Sequence, residues 1–313
     1  MNACTLPHVL ITGASSGIGR AGALRLAAHG WHVYAGVRKP ADGAALTEAA
    51  LTEAALAEAA TGELTPLLLD VTDPAQIAAT TQVIDEHAGN AGLAGLVNNA
   101  GIGVFGPLEL IGIEQFRRQL DVNVTGQLAV TQALLPALRR ARGRIVMIGS
   151  IGTRFTPPFI GPLAASKSAL ATLSTALRQE LAPFDIRVVL VEPGSIRSEA
   201  VGKLDADARQ VLSEVSPGGR ALYDDAFLHL VGFFSALHHK GSPPEEVAKT
   251  VERALTTRRP RARYLAGKNA RRMALAAAVL PPAAQDALRR RLTHQPARAA
   301  RAADTAPNLT AAR

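Results

Sequence analysis

Ser150 and Lys167 are a hydroxyl donor and a cation set where a carbonyl-reducing site needs them, within the stretch GSIGTRFTPPFIGPLAASK from Gly149 to Lys167. A serine hydroxyl can hold a carbonyl oxygen, and a nearby cation can orient a cofactor or tune a proton donor. The donor itself is missing. Four residues before the lysine, where a tyrosine acid would be sought, the chain has Leu163.

The elements upstream read as a scaffold for a nicotinamide cofactor. A short apolar run, His8 to Thr12, leads into TGASSGIGR and then an amphipathic stretch to Ala28, the strand, glycine turn and helix order that gives such a motif meaning. Gly13, Gly17 and Gly19 let the backbone approach a pyrophosphate, with Ser15, Ser16 and Ile18 between them at the start of the helix. A glycine trio alone is a weak signal, because tight turns before helices are common. The second strand, Trp31 to Val37, ends in Val37-Arg38-Lys39. An NAD site usually places a carboxylate there for the ribose hydroxyls. Here nothing repels a 2′-phosphate and Arg38 can pair with one, helped by Arg20, so NADP(H) is the expected cofactor. Two cations solvating a loop is the bland alternative.

Further along, strand three (Leu64 to Leu69) ends in Asp70 and Val71, where a carboxylate can accept from an adenine amino group. Asp73 and Pro74 read as the N-cap and first position of the next helix. Strand four, Leu93 to Val97, leads into Asn98-Asn99-Ala100-Gly101, whose amides can brace neighbouring strands. The helix around Glu114 to Leu138 carries Asn123 in mid-run, against its propensity, which suggests a kink or a bound water. Strand five, Arg144 to Ile148, ends at Ser150; helix resumes from Leu163 to Leu181; strand six, Ile186 to Val191, is expected to be stopped by Pro193 and Gly194, with Ile196 beyond.

TGASSGIG at 12 to 19, Asp70, NNAG at 98 to 101, Asn123, Ser150, SK at 166 to 167 and PG at 193 to 194 together resemble the short-chain dehydrogenase/reductase family over roughly residues 5 to 200. The downstream region resembles, more weakly, its steroid- and retinol-dehydrogenase-like branch. The resemblance implies an α/β fold: a single Rossmann-type, doubly wound parallel sheet of about seven strands, with a helical substrate lid and a C-terminal helical extension. It implies a catalytic set of Asn, Ser, Tyr and Lys, matched by Asn123, Ser150 and Lys167, with Leu163 on the tyrosine. It also implies an expected homodimer.

Only Tyr34, Tyr223 and Tyr264 remain as tyrosines, and of these Tyr223 alone is expected to be able to swing over the site. Losing a general acid costs on the order of 10² to 10⁴ in rate. Three readings stay open: an NADPH-dependent reductase of an apolar carbonyl, imine or conjugated acceptor; a non-redox catalyst or binding protein holding NADP(H) structurally; and an inactivated ordinary ketoreductase.

The lid is expected over 199–241, where Leu222, Tyr223, Phe227, Leu230, Val231, Phe233, Phe234 and Leu237 cluster. They suggest a roomy apolar pocket for a lipid-, steroid- or polyketide-like molecule, or a helical hairpin packing its own core. His238 and His239 read as surface residues of that hairpin. Ser242-Pro243-Pro244-Glu245 has the form of a capping box, and a last strand follows near Tyr264. The Rossmann unit is expected over 5–267, helices over 268–295 interrupted at Pro281-Pro282, and a disordered tail over 296–313. The repeat LTEAA-LTEAA-LAEAA at 46 to 60 reads as a lengthened surface helix.

Composition narrows the remaining classes. The net charge of +8 belongs to the C-terminal region, where 13 Lys or Arg stand against 2 acids from Arg258 onward. With no aromatic interleaving and no nucleic-acid module, nucleic acid is not an expected partner. The single Cys4 excludes an internal disulfide, no His/Cys cluster has metal spacing, and no apolar run reaches about 18 residues. A cytoplasmic protein with no membrane span and no metal is expected.

Overall fold

Along the first strand, Val9 and Ile11 point into one apolar layer and Leu10 into the other, the period of two that a strand covered on both faces requires. The computed structural model describes residues 6–57, 62–197, 209 and 217–293. Seven strands form one sheet: β1 (His8–Ile11), β2 (His32–Val37), β3 (Glu63–Leu68), β4 (Gly95–Asn98), β5 (Arg144–Ile148), β6 (Arg187–Pro193) and β7 (Arg263–Ala266). Their order is β3-β2-β1-β4-β5-β6-β7 and every pair is parallel. The strand order reverses between β1 and β4, so a crevice opens at their carboxyl ends.

On one face lie α1 (Gly17–Ala28) and α8 (Pro244–Thr256), whose Leu24, Leu26, Val247, Val251 and Leu255 pack on the valines of the sheet. On the other lie α3 (Pro74–Ala88), α5 (Gly126–Ala141) and α6 (Gly161–Glu180), which contribute Ile84, Leu134, Leu138 and Leu170. Helix α2 (Pro40–Ala57) carries most of the five-residue repeat. Asp73 caps α3, accepting from the N–H groups of Ala75 and Gln76.

The helix expected to run unbroken from Glu114 is α4 (Ile113–Leu120) followed by a π turn at Asp121–Thr125 and then α5. Asn123 sits in that turn. Strand β6 runs two residues past the expected Val191, ends at Pro193 and stops before Gly194. Leu190 and Gly194 donate to the carbonyls of Ala262 and Ala266, so the Pro193 nitrogen points toward β5, whose last residue, Ile148, pairs with Val191. The missing N–H therefore costs no ladder bond.

Downstream, α7 (Pro217–His239) is the described part of the stretch expected to form a lid; 199–208 and 210–216 lie outside the described residues, as does the expected tail at 296–313. The capping-box expectation fails: Pro243 is the N-cap of α8 and makes no side-chain bond. Ser242 instead accepts from the Lys268 N–H at 3.0 Å and bridges to Ile196, pinned between the exits of β6 and β7. Helices α9 (Ala270–Val279) and α10 (Pro282–Thr293) are separated at Pro281. Among the described residues no helix is long and apolar enough to cross a membrane.

Candidate active site

A cavity of about 700 Å³ runs along the carboxyl ends of the strands from the glycine turn to α7. Gly13 and Gly17 adopt φ of +66° and +53°, conformations an L side chain rarely takes, and a Cβ on Gly13 would stand 2.8 Å from Ala100 Cα. Thr12 Oγ1 accepts from the N–H groups of Asn99 and Ala100, and Asn99 Nδ2 returns bonds to the carbonyls of Thr12 and Gly13. The NNAG segment thereby locks the turn after β1 to the end of β4. Helix α1 starts with Ser16 as N-cap, without a side-chain cap and without an acid in its first turn. Its N–H groups suit a pyrophosphate.

Of the sequence-singled residues, Gly13, Ser15, Ser16, Gly17, Ile18, Arg38, Asp70, Val71, Asn99, Ala100 and Gly101 line the half of the cavity beside the glycine turn. Ser150, Leu163, Lys167, Pro193, Gly194 and Ile196 line the same cavity further along. Gly19 and Asn123 do not reach its wall. A Cβ at Gly19 would lie 2.2 Å from the Gly13 carbonyl oxygen, so this glycine lets the helix sit on its own turn. Arg20 is exposed and is not among the lining residues. In its place the structure brings in Arg118 from α4. Burial alone would raise the Asp70 carboxyl; the Thr72 hydroxyl and N–H, with Arg38 and Arg118 nearby, hold it below the ordinary carboxylate range.

Asn123 acts on the backbone. Its Oδ1 accepts from the Ile102 N–H at 2.8 Å, and its Nδ2 donates to the Ile102 carbonyl at 2.9 Å and to Ser166 Oγ at 3.0 Å. Ser166 in turn donates to the Leu163 carbonyl. The π turn thus presents an amide that fastens the loop after Gly101 to the first turns of α6.

Lys167 is buried, and its Nζ donates to the Ile148 carbonyl at 2.8 Å. Burial pulls its pKa down to about 8. Ser150 Oγ accepts from the Gly152 N–H at 3.0 Å, which leaves its O–H to donate. Between them Arg154 grips Glu192, itself 1% exposed, with Nε at 2.9 Å and Nη2 at 2.6 Å. This fork joins the segment after β5 to the end of β6. Phe159 stands at φ +65°, rare for a bulky residue, with its carbonyl accepting from the Gly106 N–H.

The half of the cavity beside α7 is apolar. Phe227, Leu230 and Val231 of α7 pack against Phe159, Ile160 and Ala164, and Phe105, Phe155, Phe234, Leu237 and Met273 complete the wall. Leu222 turns outward, 45% exposed. Tyr223 does not line the cavity; its hydroxyl donates to Glu109 at 2.5 Å, and that bond together with burial raises its pKa. Tyr34 is buried, with its hydroxyl bonded to His8 at the amino end of β1, and Tyr264 lies on β7. The expectation that His238 lies on the surface is overturned, because it faces the cavity. Arg118, Met273 and His238 had no motif to mark them.

The family model described as short chain dehydrogenase matches residues 7–209. Retinol dehydrogenase 5 of Mus musculus is 35% identical over 286 residues, covering 90% of this chain and 86% of that protein. NADPH-dependent 3-dehydrocapnine reductase of Ornithobacterium rhinotracheale is 32% identical over 263 residues, covering 82% and 87%. A short chain dehydrogenase from Burkholderia cenocepacia J2315, solved in complex with NADP, superposes with a TM-score of 0.64 at 27% identity, covering 92% of this chain and 97% of that one.

Proposed function

The chain belongs to the short-chain dehydrogenase/reductase family, and from that premise we propose that it is an NADP(H)-dependent oxidoreductase of an apolar carbonyl, imine or conjugated substrate, working without a tyrosine at position 163. The observation that carries this reading is the single cavity in which Ser150 and Lys167 stand between a glycine-turn cradle and an apolar wall. Gly13 to Ile18 would hold the pyrophosphate, Arg38 the 2′-phosphate, and Asp70 the adenine. Bound there, the cofactor supplies a hydride. Lys167 would bind the nicotinamide ribose, and Ser150 would hold the substrate oxygen through its free O–H. The apolar wall would exclude water and orient the substrate by shape.

The 2′-phosphate preference is supported by Arg38, by the absence of a carboxylate at the end of β2, by the NADPH dependence of the dehydrocapnine reductase and by the NADP bound to the Burkholderia protein. An apolar substrate in the size range of retinol fits the wall and the name of the Mus musculus relative.

A second reading is favoured by Leu163 itself. With an alkyl side chain where the acid would stand, the scaffold can hold NADP(H) structurally while the pocket steers a cyclisation, dehydration or isomerisation. Cofactor titration and restoration of the hydroxyl separate the readings. Micromolar binding of NADPH with much weaker NADH, and a rise of roughly 10²-fold or more in ketone reduction by Leu163→Tyr, would support the oxidoreductase. Binding with no gain in the variant would favour the non-redox catalyst, and no binding of either cofactor would remove hydride transfer.

A further inference from the structure

We propose that His238 exchanges the proton which a substrate oxygen in this cavity gains or loses, replacing the hydroxyl absent at position 163. The inference rests on the oxidoreductase reading above and names a residue which that reading left without a role.

The geometry is specific. His238 Nδ1 lies 2.8 Å from the Phe234 carbonyl oxygen one turn earlier in α7. A carbonyl only accepts, so Nδ1 carries the hydrogen and the neutral ring keeps its lone pair on Nε2. That nitrogen can cycle between acceptor and donor while the ring stays anchored. The end of α7 is pinned as well: the His238 carbonyl accepts from the Gly241 N–H, Ser242 N donates to the Ser195 carbonyl, and Ser242 O accepts from Arg197. These bonds hold the helix against Ser195 and Ile196, directly after Pro193 and Gly194. Toward its other end α7 packs on Phe159, Ile160 and Ala164, the last adjacent to Leu163.

The other members of this part of the wall are apolar, save for Ser150, Ser195 and the buried amine of Lys167, which is engaged with the Ile148 carbonyl. Asp70 belongs to the end of β3, and Asp121, solvent-exposed, starts the π turn beside Val71. Lys167 from α6 lines the same cavity, and the exposed His239 and Lys240 follow the ring in sequence. No described carboxylate is bonded to it. Burial lowers its pKa and the bond to Phe234 raises it, leaving it below the ordinary imidazole value.

In the reducing direction the carbonyl carbon receives a hydride, with its electron pair, from the reduced nicotinamide. The π pair of the C=O bond moves to oxygen, and oxygen takes the proton from Nε2 of the imidazolium. The products are an alcohol, oxidised nicotinamide and a neutral imidazole, which solvent reprotonates. In the oxidising direction neutral Nε2 takes the alcohol proton, so that rate rises with pH through the imidazole pKa.

Two measurements on the full chain test this. The first follows the ¹⁵N shifts of histidine-labelled protein with NADP⁺ bound, with His238→Gln supplying the assignment and decan-1-ol as the probe. An Nδ1–H tautomer, titrating below 6.5 with Nε2 perturbed by the alcohol, is expected; an Nε2–H tautomer, or a resonance indifferent to saturating decan-1-ol, overturns the proposal. The second is the pH profile of NADP⁺-dependent oxidation of decan-1-ol and cinnamyl alcohol. The wild type should show an ascending limb below pH 6.5 that His238→Gln abolishes, with kcat down about 10²-fold and NADPH affinity unchanged. Superimposable profiles with rates within threefold would dismiss His238 and leave the oxidoreductase standing. No turnover by wild-type protein that binds NADPH would remove both.

Discussion

The Nζ of Lys167 donates to the carbonyl oxygen of Ile148 at 2.8 Å, tying α6 to the end of β5 two residues before Ser150. No carboxylate shares this buried ammonium among the bonds described, so its charge is held by backbone. With a pKa of about 8 against 10.5 in the unfolded chain, the unfolded state binds more protons between those values. The burial penalty is therefore full below pH 8 and relieved as pH rises toward 10.5, by up to about 3 kcal/mol. Urea denaturation of wild type and Lys167→Met at pH 7 and pH 10 should show the stability difference moving in favour of the wild type at the higher pH. A pH-independent difference would contradict it.

Arg38 stands exposed on the cavity rim after β2. A charge-assisted bond to a 2′-phosphate is worth about 1.5–3 kcal/mol, with the lower end fitting an exposed site. Arg38→Ala should weaken NADPH binding by about tenfold or more and leave NADH binding within twofold, as read by cofactor fluorescence. Equal loss for both cofactors would assign Arg38 to the loop and not to the phosphate.

Glu192 is the most deeply buried carboxylate beside the site, and Arg154 neutralises it with two bonds, with Arg263 more distant at 3.8 Å. Orphaning a buried charge costs about 3–5 kcal/mol. Arg154→Met should fall near the lower end, because Arg154 is itself a third exposed and Arg263 remains. Adding Glu192→Gln to that variant should restore most of the lost stability, whereas additive losses would show that the fork contributes packing and no charge pairing.

At the amino ends of β1 and β2 His8, His32 and His87 gather around Tyr34, with the His8 and His32 rings 5.0 Å apart. Burial lowers the pKa of His8 and of His32; His32 and His87 lower His8 further, and Glu63 opposes in both. Their folded pKa values lie below the unfolded 6.5, so the stability they permit is complete above that pH and is lost as pH falls through the folded values. The Tm should drop more steeply from pH 6.5 to 5 in the wild type than in His32→Gln. Parallel curves would show that the cluster does not titrate in this range.

Much of the scaffold was legible because it is periodic or punctuated. Val9 to Ile11 alternate between two apolar layers, the glycine turn precedes α1, and Asp73-Pro74 announces α3. Asn123 betrayed the π turn by defying helix propensity, although the sequence could not show that its bonds go to Ile102 and Ser166. Other features depend on what tertiary structure brings together. Ser242 matches a capping box locally, yet the strand exits of β6 and β7 claim its hydroxyl and backbone. Pro193 reads as a stop and is the last residue of β6, but only the ladder shows that it still pairs with Ala266 because its nitrogen is directed toward β5. Arg118 and His238 lie on helices whose orientation toward the cavity no local pattern encodes, and Tyr223 is held away by Glu109, 114 residues distant.

The central claim is that hydride crosses this cavity although Leu163 carries no proton. Wild-type protein should be incubated with NADPH deuterated at C4, in separate preparations for each face, together with decanal and cinnamaldehyde, and the products weighed by mass spectrometry. The account predicts an alcohol carrying one deuterium on the former carbonyl carbon, from one face of the nicotinamide only. Bound NADPH that leaves every product unlabelled would contradict it, and the fold would then serve a reaction without hydride transfer.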